Sequence, residues 1–158
     1  MTERQLLVIA HTPSPNLKKV RDAFVNSART AAQSASCALN VVSLAPLDSN
    51  SEDVEQADAV VLITPENLGY MSGALKDWFD RIYYPVLESK QGLPCTAIIR
   101  AGHDGTGTER AINTITTGLR WRWVQPPVIL KGDWQEFWIS EISDLGEGIA
   151  VALSEGMI

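Results

Sequence analysis

The stretch AVVLIT at residues 59–64, followed by PENLGYMSGALK at residues 65–76, predicts the fold of this chain. Its first part is an almost unbroken apolar run, which is typical of a strand with both faces buried. The loop behind it is polar and rich in small residues, and it leads into apolar residues at helical spacing. A buried strand, a polar loop and a helix in this order are the repeating unit of a parallel α/β sheet.

The same unit recurs along the 158-residue chain. Apolar runs of strand length also occur at residues 6–10, 38–44, 96–101 and 124–130. The last run contains Pro126 and Pro127, which cannot donate ladder hydrogen bonds and therefore favour the sheet edge. Since right-handed crossovers place helices on both faces of a parallel sheet, five such strands predict a three-layer α/β sandwich.

Apolar stripes at helical spacing predict the helices. The stripes are Leu17, Val20, Phe24 and Ala28; Leu75, Trp78, Phe79 and Ile82; Ala111, Ile112, Ile115 and Leu119; and Ile142, Leu145, Ile149 and Leu153. The short acidic segment 51–56 predicts a further helix of one or two turns. Ser14 and Ser72 precede stripes as N-caps, and Thr106 with Glu109 has capping-box spacing.

Composition predicts one globular domain over residues 1–158, with 45% hydrophobic and 20% charged residues. The formal net charge of -6 argues against a nucleic-acid partner. No apolar run is long enough for a membrane span and no signal-peptide layout is present, so a cytoplasmic location is the expectation. Cys37 and Cys95 lack metal-ligand spacing, and two buried free thiols are favoured over a disulfide.

The binding site is predicted from the topology. Ligands bind open doubly wound sheets outside the carboxyl ends of the strands, where the strand order reverses. With the order 2-1-3-4-5, the reversal lies between the first and third strands. The loops that follow residues 10, 64 and 101 are therefore expected to meet at one edge of the sheet.

The first of these loops, HTPSPNL at residues 11–17, places two hydroxyls and an amide around a helix N-terminus. The unpaired N–H groups and the dipole at such an end attract phosphate. The same residues also suit an ordinary helix start, with Ser14 as the cap and Pro15 in the first turn. No G-x-G-x-x-G fingerprint follows the strand, which argues against a dinucleotide site of the Rossmann type.

The second loop resembles the flavodoxin-like NAD(P)H-dependent FMN reductase family, in which a T-P-E-Y-N loop precedes a small-residue turn and G-A-L-K-x-x-x-D. The matching residues here are Thr64, Pro65, Glu66, Asn67, residues 72–76 (SGALK) and Asp80. The first loop is similar to the family's S-x-S-x-N-[ST] phosphate loop at Thr12, Ser14 and Asn16. The likeness extends over most of the chain. It implies a flavodoxin-like three-layer sandwich, with a five-stranded parallel sheet of order 2-1-3-4-5 and helices on both faces.

The resemblance further implies that FMN binds across the three loops. The implied cofactor-binding residues are Thr12, Ser14, Asn16, Leu17, Pro65, Glu66, Asn67, Leu68, Gly69, Tyr70, Gly102, His103 and Gly105. Leu17 stands where the family has a hydroxyl, so one phosphate hydrogen bond comes from the backbone or is lost. Leu68 and Tyr70 are both candidates for facing the flavin ring, because this segment departs from the family's Tyr-Asn order.

The third loop, GHDGTG at residues 102–107, surrounds His103 with glycines that allow the backbone to approach a planar ligand closely. The resemblance places this loop at the pyrimidine edge of the flavin ring. His103 has two interpretations, a hydrogen-bonding group for flavin or substrate and an exposed loop residue without a catalytic role. No catalytic triad, carboxylate pair or metal cluster is recognisable, which suits a flavoprotein because the flavin itself carries the redox chemistry.

The implied activity is transfer of electrons from NAD(P)H through FMN to a small-molecule acceptor such as a quinone or a flavin. Two alternatives remain at this point: a flavodoxin-type electron carrier without direct NAD(P)H activity, and a domain of this fold that has lost flavin. The family resemblance also implies a homodimer or higher homo-oligomer. Trp78, Tyr83 and Tyr84 are candidate contacts between subunits.

Overall fold

The computed structural model describes residues 3–35 and 38–158. Within them, the strands are β1 (Arg4–Ala10), β2 (Leu39–Leu44), β3 (Ala59–Asn67), β4 (Tyr70–Met71), β5 (Pro94–Ala101), β6 (Arg122–Trp123) and β7 (Val128–Lys131). The α-helices are α1 (Pro15–Gln33), α2 (Ser51–Gln56), α3 (Gly73–Val86), α4 (Thr106–Leu119) and α5 (Trp138–Ser154). A 3₁₀ turn covers Pro46–Asp48.

The strand order confirms the predicted topology. The parallel path through the sheet is β2-β1-β3-β5-β6, and β7 pairs with β5 further along the same edge. Counting only the predicted strands, this is the order 2-1-3-4-5, with β6 and β7 sharing the fifth place. The fifth strand is divided because Pro126 and Pro127 lie between its two pieces, where they donate no ladder hydrogen bonds.

Each face of the sheet carries its own apolar core. Helices α1 and α5 cover one face, and α2, α3 and α4 cover the other. In the second core, Trp78 packs edge-on against Phe79 at a centroid distance of 5.1 Å, and Trp121 lies 6.3 Å from both rings. Trp78 is fully buried. It is therefore a core residue, and its proposed role as a subunit contact was wrong, whereas Tyr84 is 80% exposed.

The helix starts are confirmed at two positions and corrected at a third. Ser14 and Ser72 are the N-caps of α1 and α3. The capping box predicted for Thr106 and Glu109 is wrong, because Thr106 is already the first helical residue. The Asp104 carboxylate accepts hydrogen bonds at 3.0 Å from both the backbone N–H and the hydroxyl of Thr106. Asp104, two residues before Thr106, therefore supplies the side-chain acceptor at the start of α4.

Cys95 lies in β5 and is almost fully buried as a free thiol, whereas Cys37 lies outside the described residues. Burial raises the pKa of Cys95 from 9.0 to about 12. Three pKa units correspond to a roughly thousand-fold smaller thiolate fraction at neutral pH. We expect Cys95 to be alkylated at least about a thousand-fold more slowly in the native protein than in urea, measured by mass spectrometry of its peptide. Equal rates in both states would contradict this burial.

Candidate functional site

The three predicted loops emerge from neighbouring strands at one edge of the sheet. Strand β1 pairs with β3 as far as Ala10 and Ile63, and β3 pairs with β5 as far as Pro65 and Arg100. The His11 N–H continues the first pairing by donating to the Ile63 carbonyl at 2.9 Å. The prediction that the three loops meet at one edge of the sheet is therefore confirmed.

In the first loop, Ser14 organises the start of α1. Its hydroxyl accepts a hydrogen bond from the Leu17 N–H at 3.2 Å, and its carbonyl accepts from Lys18 at 3.1 Å. Pro15 has no N–H, so the Asn16 N–H is the first-turn donor that remains for a ligand. The Leu17 side chain is buried in the core and does not reach the edge of the sheet.

Thr12 has a partner that sequence reasoning missed. Its hydroxyl accepts a hydrogen bond at 3.1 Å from Nη1 of Arg21, which lies further along α1. Nε of Arg21 is also 2.9 Å from the Asp22 carboxylate. The first loop thus carries a guanidinium group at its side, in addition to the helix N-terminus. No sequence motif links residues nine apart in this way, because the contact depends on the loop folding back over the helix.

The second loop is a β-hairpin, whereas the sequence predicted only a polar loop without strand pairing. Strand β3 extends to Asn67, which pairs with Tyr70 of β4. The two turn residues, Leu68 and Gly69, have φ angles of 53° and 77°, as a type I′ turn requires. Leucine is strained in this region, and its side chain is fully exposed at the tip. Tyr70, the other candidate for facing the ring, is 39% exposed.

Several residues of the second-loop motif stabilise helix α3. The Ser72 hydroxyl accepts a hydrogen bond from the Leu75 N–H at 3.1 Å and so caps α3. Lys76 and Asp80 form an exposed ion pair at 2.6 Å, one helical turn apart, and this hydrogen bond raises the pKa of Lys76. Pro65 is buried and Glu66 is half-buried.

Thr64 fixes the hairpin to the start of α3. Its fully buried hydroxyl donates to the Pro65 carbonyl at 2.8 Å and accepts from the Ser72 N–H at 3.1 Å. Valine has the same shape but leaves the buried Ser72 N–H unpaired, which costs roughly 1–3 kcal/mol. We expect Thr64→Val to lower the free energy of unfolding by that amount in urea. Thr114→Val, on the exposed face of α4, is the matched control with an expected change near zero.

The second and third loops meet at a pair of glycines. A Cβ atom on Gly107, in the first turn of α4, would collide with the carbonyl oxygen of Gly69. The hairpin tip therefore rests directly on the α4 backbone, and only glycine at position 107 permits this approach. The sequence placed Gly107 in the third loop but gave no signal that it contacts the second loop.

The rest of the third loop divides into exposed and buried parts. Gly102 and His103 are exposed, and a Cβ on Gly102 would meet no atom within 4 Å. Gly105 is buried with φ at 73°, and its Cβ would lie 2.7 Å from Ile129, so packing explains this glycine. Hydrogen bonds from Thr106 lower the pKa of Asp104, which keeps the loop anchor ionised.

Arg100 is a second basic residue at this edge that the sequence did not single out. Its Nη1 donates to the carbonyls of Ala101 at 2.9 Å and Leu130 at 3.1 Å, the terminal parts of β5 and β7. The guanidinium carbon lies 5.1 Å from the Trp138 ring centroid, within cation–π range. Arg100 therefore ties the last two strands together just before the third loop.

The loops at the carboxyl edge of an open parallel sheet are where α/β proteins of this architecture bind their ligands. The model of the family described as NADPH-dependent FMN reductase matches residues 37–135, more than half of the chain. The chain belongs to this family of FMN-binding oxidoreductases. The matched span includes the hairpin and the third loop, whereas the first loop precedes it.

Solved structures share the fold at low identity. An archaeal flavodoxin has a TM-score of 0.71 and 17% identity, covering 94% of this chain and 98% of its own. An oxidoreductase from Corynebacterium diphtheriae has a TM-score of 0.66 and 16% identity, covering 98% and 97%. General stress protein 14 from Treponema denticola, in complex with FMN, has a TM-score of 0.64 and 14% identity. The match covers 98% of this chain and 99% of that protein. These values show a flavodoxin-like fold. No curated protein matches the chain in sequence.

Two further findings apply to residues 3–35 and 38–158. No helix there is both long and apolar enough to cross a membrane. The same residues contain no group of three or more histidine, cysteine, aspartate or glutamate side chains arranged to hold a metal ion.

Proposed function

We propose that the chain binds FMN at the edge formed by the three loops, takes electrons from NAD(P)H and passes them to a small-molecule acceptor such as a quinone or a flavin. The observation that carries the proposal is the convergence of a capped helix N-terminus with a hairpin that rests on the third loop. Family membership supports the cofactor, and the family description supports the donor.

The phosphate end of FMN fits the first loop. The Asn16 N–H lies in the unpaired first turn of α1, where the helix dipole favours an anion. The Thr12 hydroxyl stands beside this turn and is held there by a hydrogen bond from Arg21. The hydrogen bond lost at Leu17, where the family has a hydroxyl, is thus offset by a backbone donor.

The ring end fits the second and third loops. Leu68 and Tyr70 offer exposed apolar surface on the hairpin, and Gly102 leaves room for a planar ligand to approach the backbone. The strain at Leu68 is consistent with a functional position, since strained exposed residues concentrate at binding sites. His103 is exposed and has no assigned catalytic role in this proposal.

The residues of the chain bind and orient the cofactor in this proposal. FMN, when bound, supplies the hydride and electron chemistry. The hairpin is fixed by Thr64 and by its contact with Gly107, so the surface offered to the ring is preorganised. A homodimer or higher homo-oligomer and a cytoplasmic location stay predictions.

Absorbance spectroscopy tests the proposal. Purified protein is incubated with FMN, desalted and examined for retained flavin bands, then treated with NADPH or NADH without oxygen. Retained colour that bleaches rapidly with either nucleotide is the expected result, and the faster nucleotide identifies the preferred donor. A colourless protein would overturn FMN binding and would favour a domain that has lost flavin.

The net charge of -6 favours one rival, a flavodoxin-type carrier that exchanges electrons with partner proteins. The same preparation distinguishes the two functions. Reduction by dithionite in two resolved one-electron steps, with no direct reaction with NADPH or NADH, would establish the carrier. Direct bleaching by the nucleotide followed by reoxidation with a quinone would establish the reductase.

A further inference from the structure

A polar cavity lies between α1 and the end of β2, next to the first loop. Its volume is about 490 Å³, within the range of ligand pockets. Arg21, Asn26 and Arg29 of α1 form one wall, and residues 43–45 at the end of β2 form the other. We name it the Arg21–Arg29 cavity. Residues 10–13, at the end of β1 and the start of the first loop, also line it, whereas Ser14 and Asn16 do not. The cavity therefore adjoins the helix N-terminus proposed to hold the FMN phosphate without including it.

The two guanidinium groups in this cavity are held in place by neighbours. Arg21 is fixed between the Thr12 hydroxyl and the Asp22 carboxylate. Nη2 of Arg29 donates to the Val41 carbonyl of β2 at 3.2 Å. Each guanidinium group keeps further N–H donors beyond these bonds. Preorganised arginine donors lose less entropy when they bind an anion.

The other wall residues add neutral hydrogen-bonding groups. Asn26 contributes an amide from the same helix as the two arginines, and Ser43 contributes a hydroxyl from β2. His11 also lines the cavity, and its Nδ1 is buried with no hydrogen-bonding partner in the described chain. Asn26, Ser43 and His11 thus place neutral polar side chains around the two arginines.

The charge balance of the cavity selects an anion. Two arginines and one aspartate line it, which leaves an excess of one positive charge in a chain whose net charge is -6. Guanidinium groups match the oxygen geometry of phosphate, and the neutral donors complete its coordination. The volume exceeds that of a bare phosphate and accommodates an attached sugar.

We propose that the Arg21–Arg29 cavity binds a phosphate monoester, either a free sugar phosphate or the phosphate of a nucleotide. The site adjoins the proposed flavin site, but its two guanidinium groups take no part in holding the FMN phosphate, so both sites are occupied at once. Asp22 weakens the site, because its carboxylate competes with the ligand for Arg21.

Two-dimensional NMR of the FMN-saturated protein tests the proposal, because FMN then occupies the phosphate site proposed at the Asn16 N–H. Titration with inorganic phosphate and ribose 5-phosphate is expected to shift the Asn26 and Ser43 amides. Arg29→Gln should weaken this binding about tenfold, and Asp22→Asn should tighten it about threefold. Lys19→Gln, a charge change on an exposed face of the same helix, is the control with no expected change.

Comparison of NADP⁺ with NAD⁺ distinguishes the two sources of the phosphate. An Arg29-dependent preference for NADP⁺ identifies the nucleotide, and equal weak binding of both with tight ribose 5-phosphate binding identifies a free sugar phosphate. Shifts that are absent, or unaffected by Arg29→Gln and Asp22→Asn, would overturn the proposal. If the protein binds no FMN, the same phosphate titrations of wild type, Arg29→Gln and Asp22→Asn are made on the flavin-free protein. A failure of FMN binding is thus distinguished from a failure of phosphate binding in the cavity.

Discussion

Replacing Ser14 by aspartate is expected to weaken FMN binding at least about 100-fold while leaving the fold intact. The carboxylate would stand beside the Asn16 N–H, where the FMN phosphate is proposed to bind. Two like charges about 4 Å apart at a protein surface repel by several kcal/mol, and a 100-fold loss needs only about 2.7 kcal/mol. Fluorescence titration with FMN measures the effect.

The design keeps stability constant because aspartate caps helices about as well as serine does. The hydroxyl of Ser14 accepts from the Leu17 N–H, and an aspartate oxygen takes over this bond. Asn50→Asp adds the same charge at the N-cap of α2 and should leave FMN affinity unchanged. Riboflavin, which lacks the phosphate, should bind wild type and Ser14→Asp equally. Equal FMN affinity in both proteins would place the phosphate elsewhere.

The strands were predictable because buried parallel strands carry continuous apolar runs. The runs at residues 6–10 and 59–64 lie within β1 and β3, and the proline pair correctly placed the fifth strand at the edge. The hairpin was not predictable from this signal. Strand β4 has only two residues, too few to show the alternation of a strand. The turn was also not recognisable, because leucine seldom adopts the positive φ that Leu68 has here.

The meeting of the three loops at one edge of the sheet was predictable, and the individual contacts there were less so. Local rules found the Ser14 and Ser72 caps, because a cap depends on only a few consecutive residues. Contacts that join separate elements, such as Arg21 with Thr12, depend on how the chain packs. The Thr106 capping box failed for a related reason. The carboxylates of Asp104 and Glu109 are both spaced to accept the Thr106 N–H. Sequence spacing alone does not tell which of the two accepts it, and in the structure it is Asp104.

Replacing Gly107 by alanine is expected to move the hairpin away from α4 and to damage the flavin site. A Cβ at this position collides with the Gly69 carbonyl oxygen, and that atom belongs to the backbone, which cannot rotate away as a side chain would. Overpacking of this kind costs roughly 1–3 kcal/mol, more than the gain of about 1 kcal/mol that alanine brings to a helix. We therefore expect a net loss of up to about 2 kcal/mol in urea unfolding and a roughly tenfold weaker FMN affinity.

Gly148→Ala in α5 is the matched control, because a Cβ there meets no atom within 4 Å and the residue is exposed. That substitution should stabilise the protein by about 0.5–1 kcal/mol and leave FMN affinity unchanged. The two variants thus share the helix-propensity gain and differ only in the contact with Gly69. If Gly107→Ala stabilises the protein as Gly148→Ala does, the hairpin does not rest on α4. If it destabilises the protein without changing FMN affinity, the hairpin is part of the fold but does not hold the flavin ring.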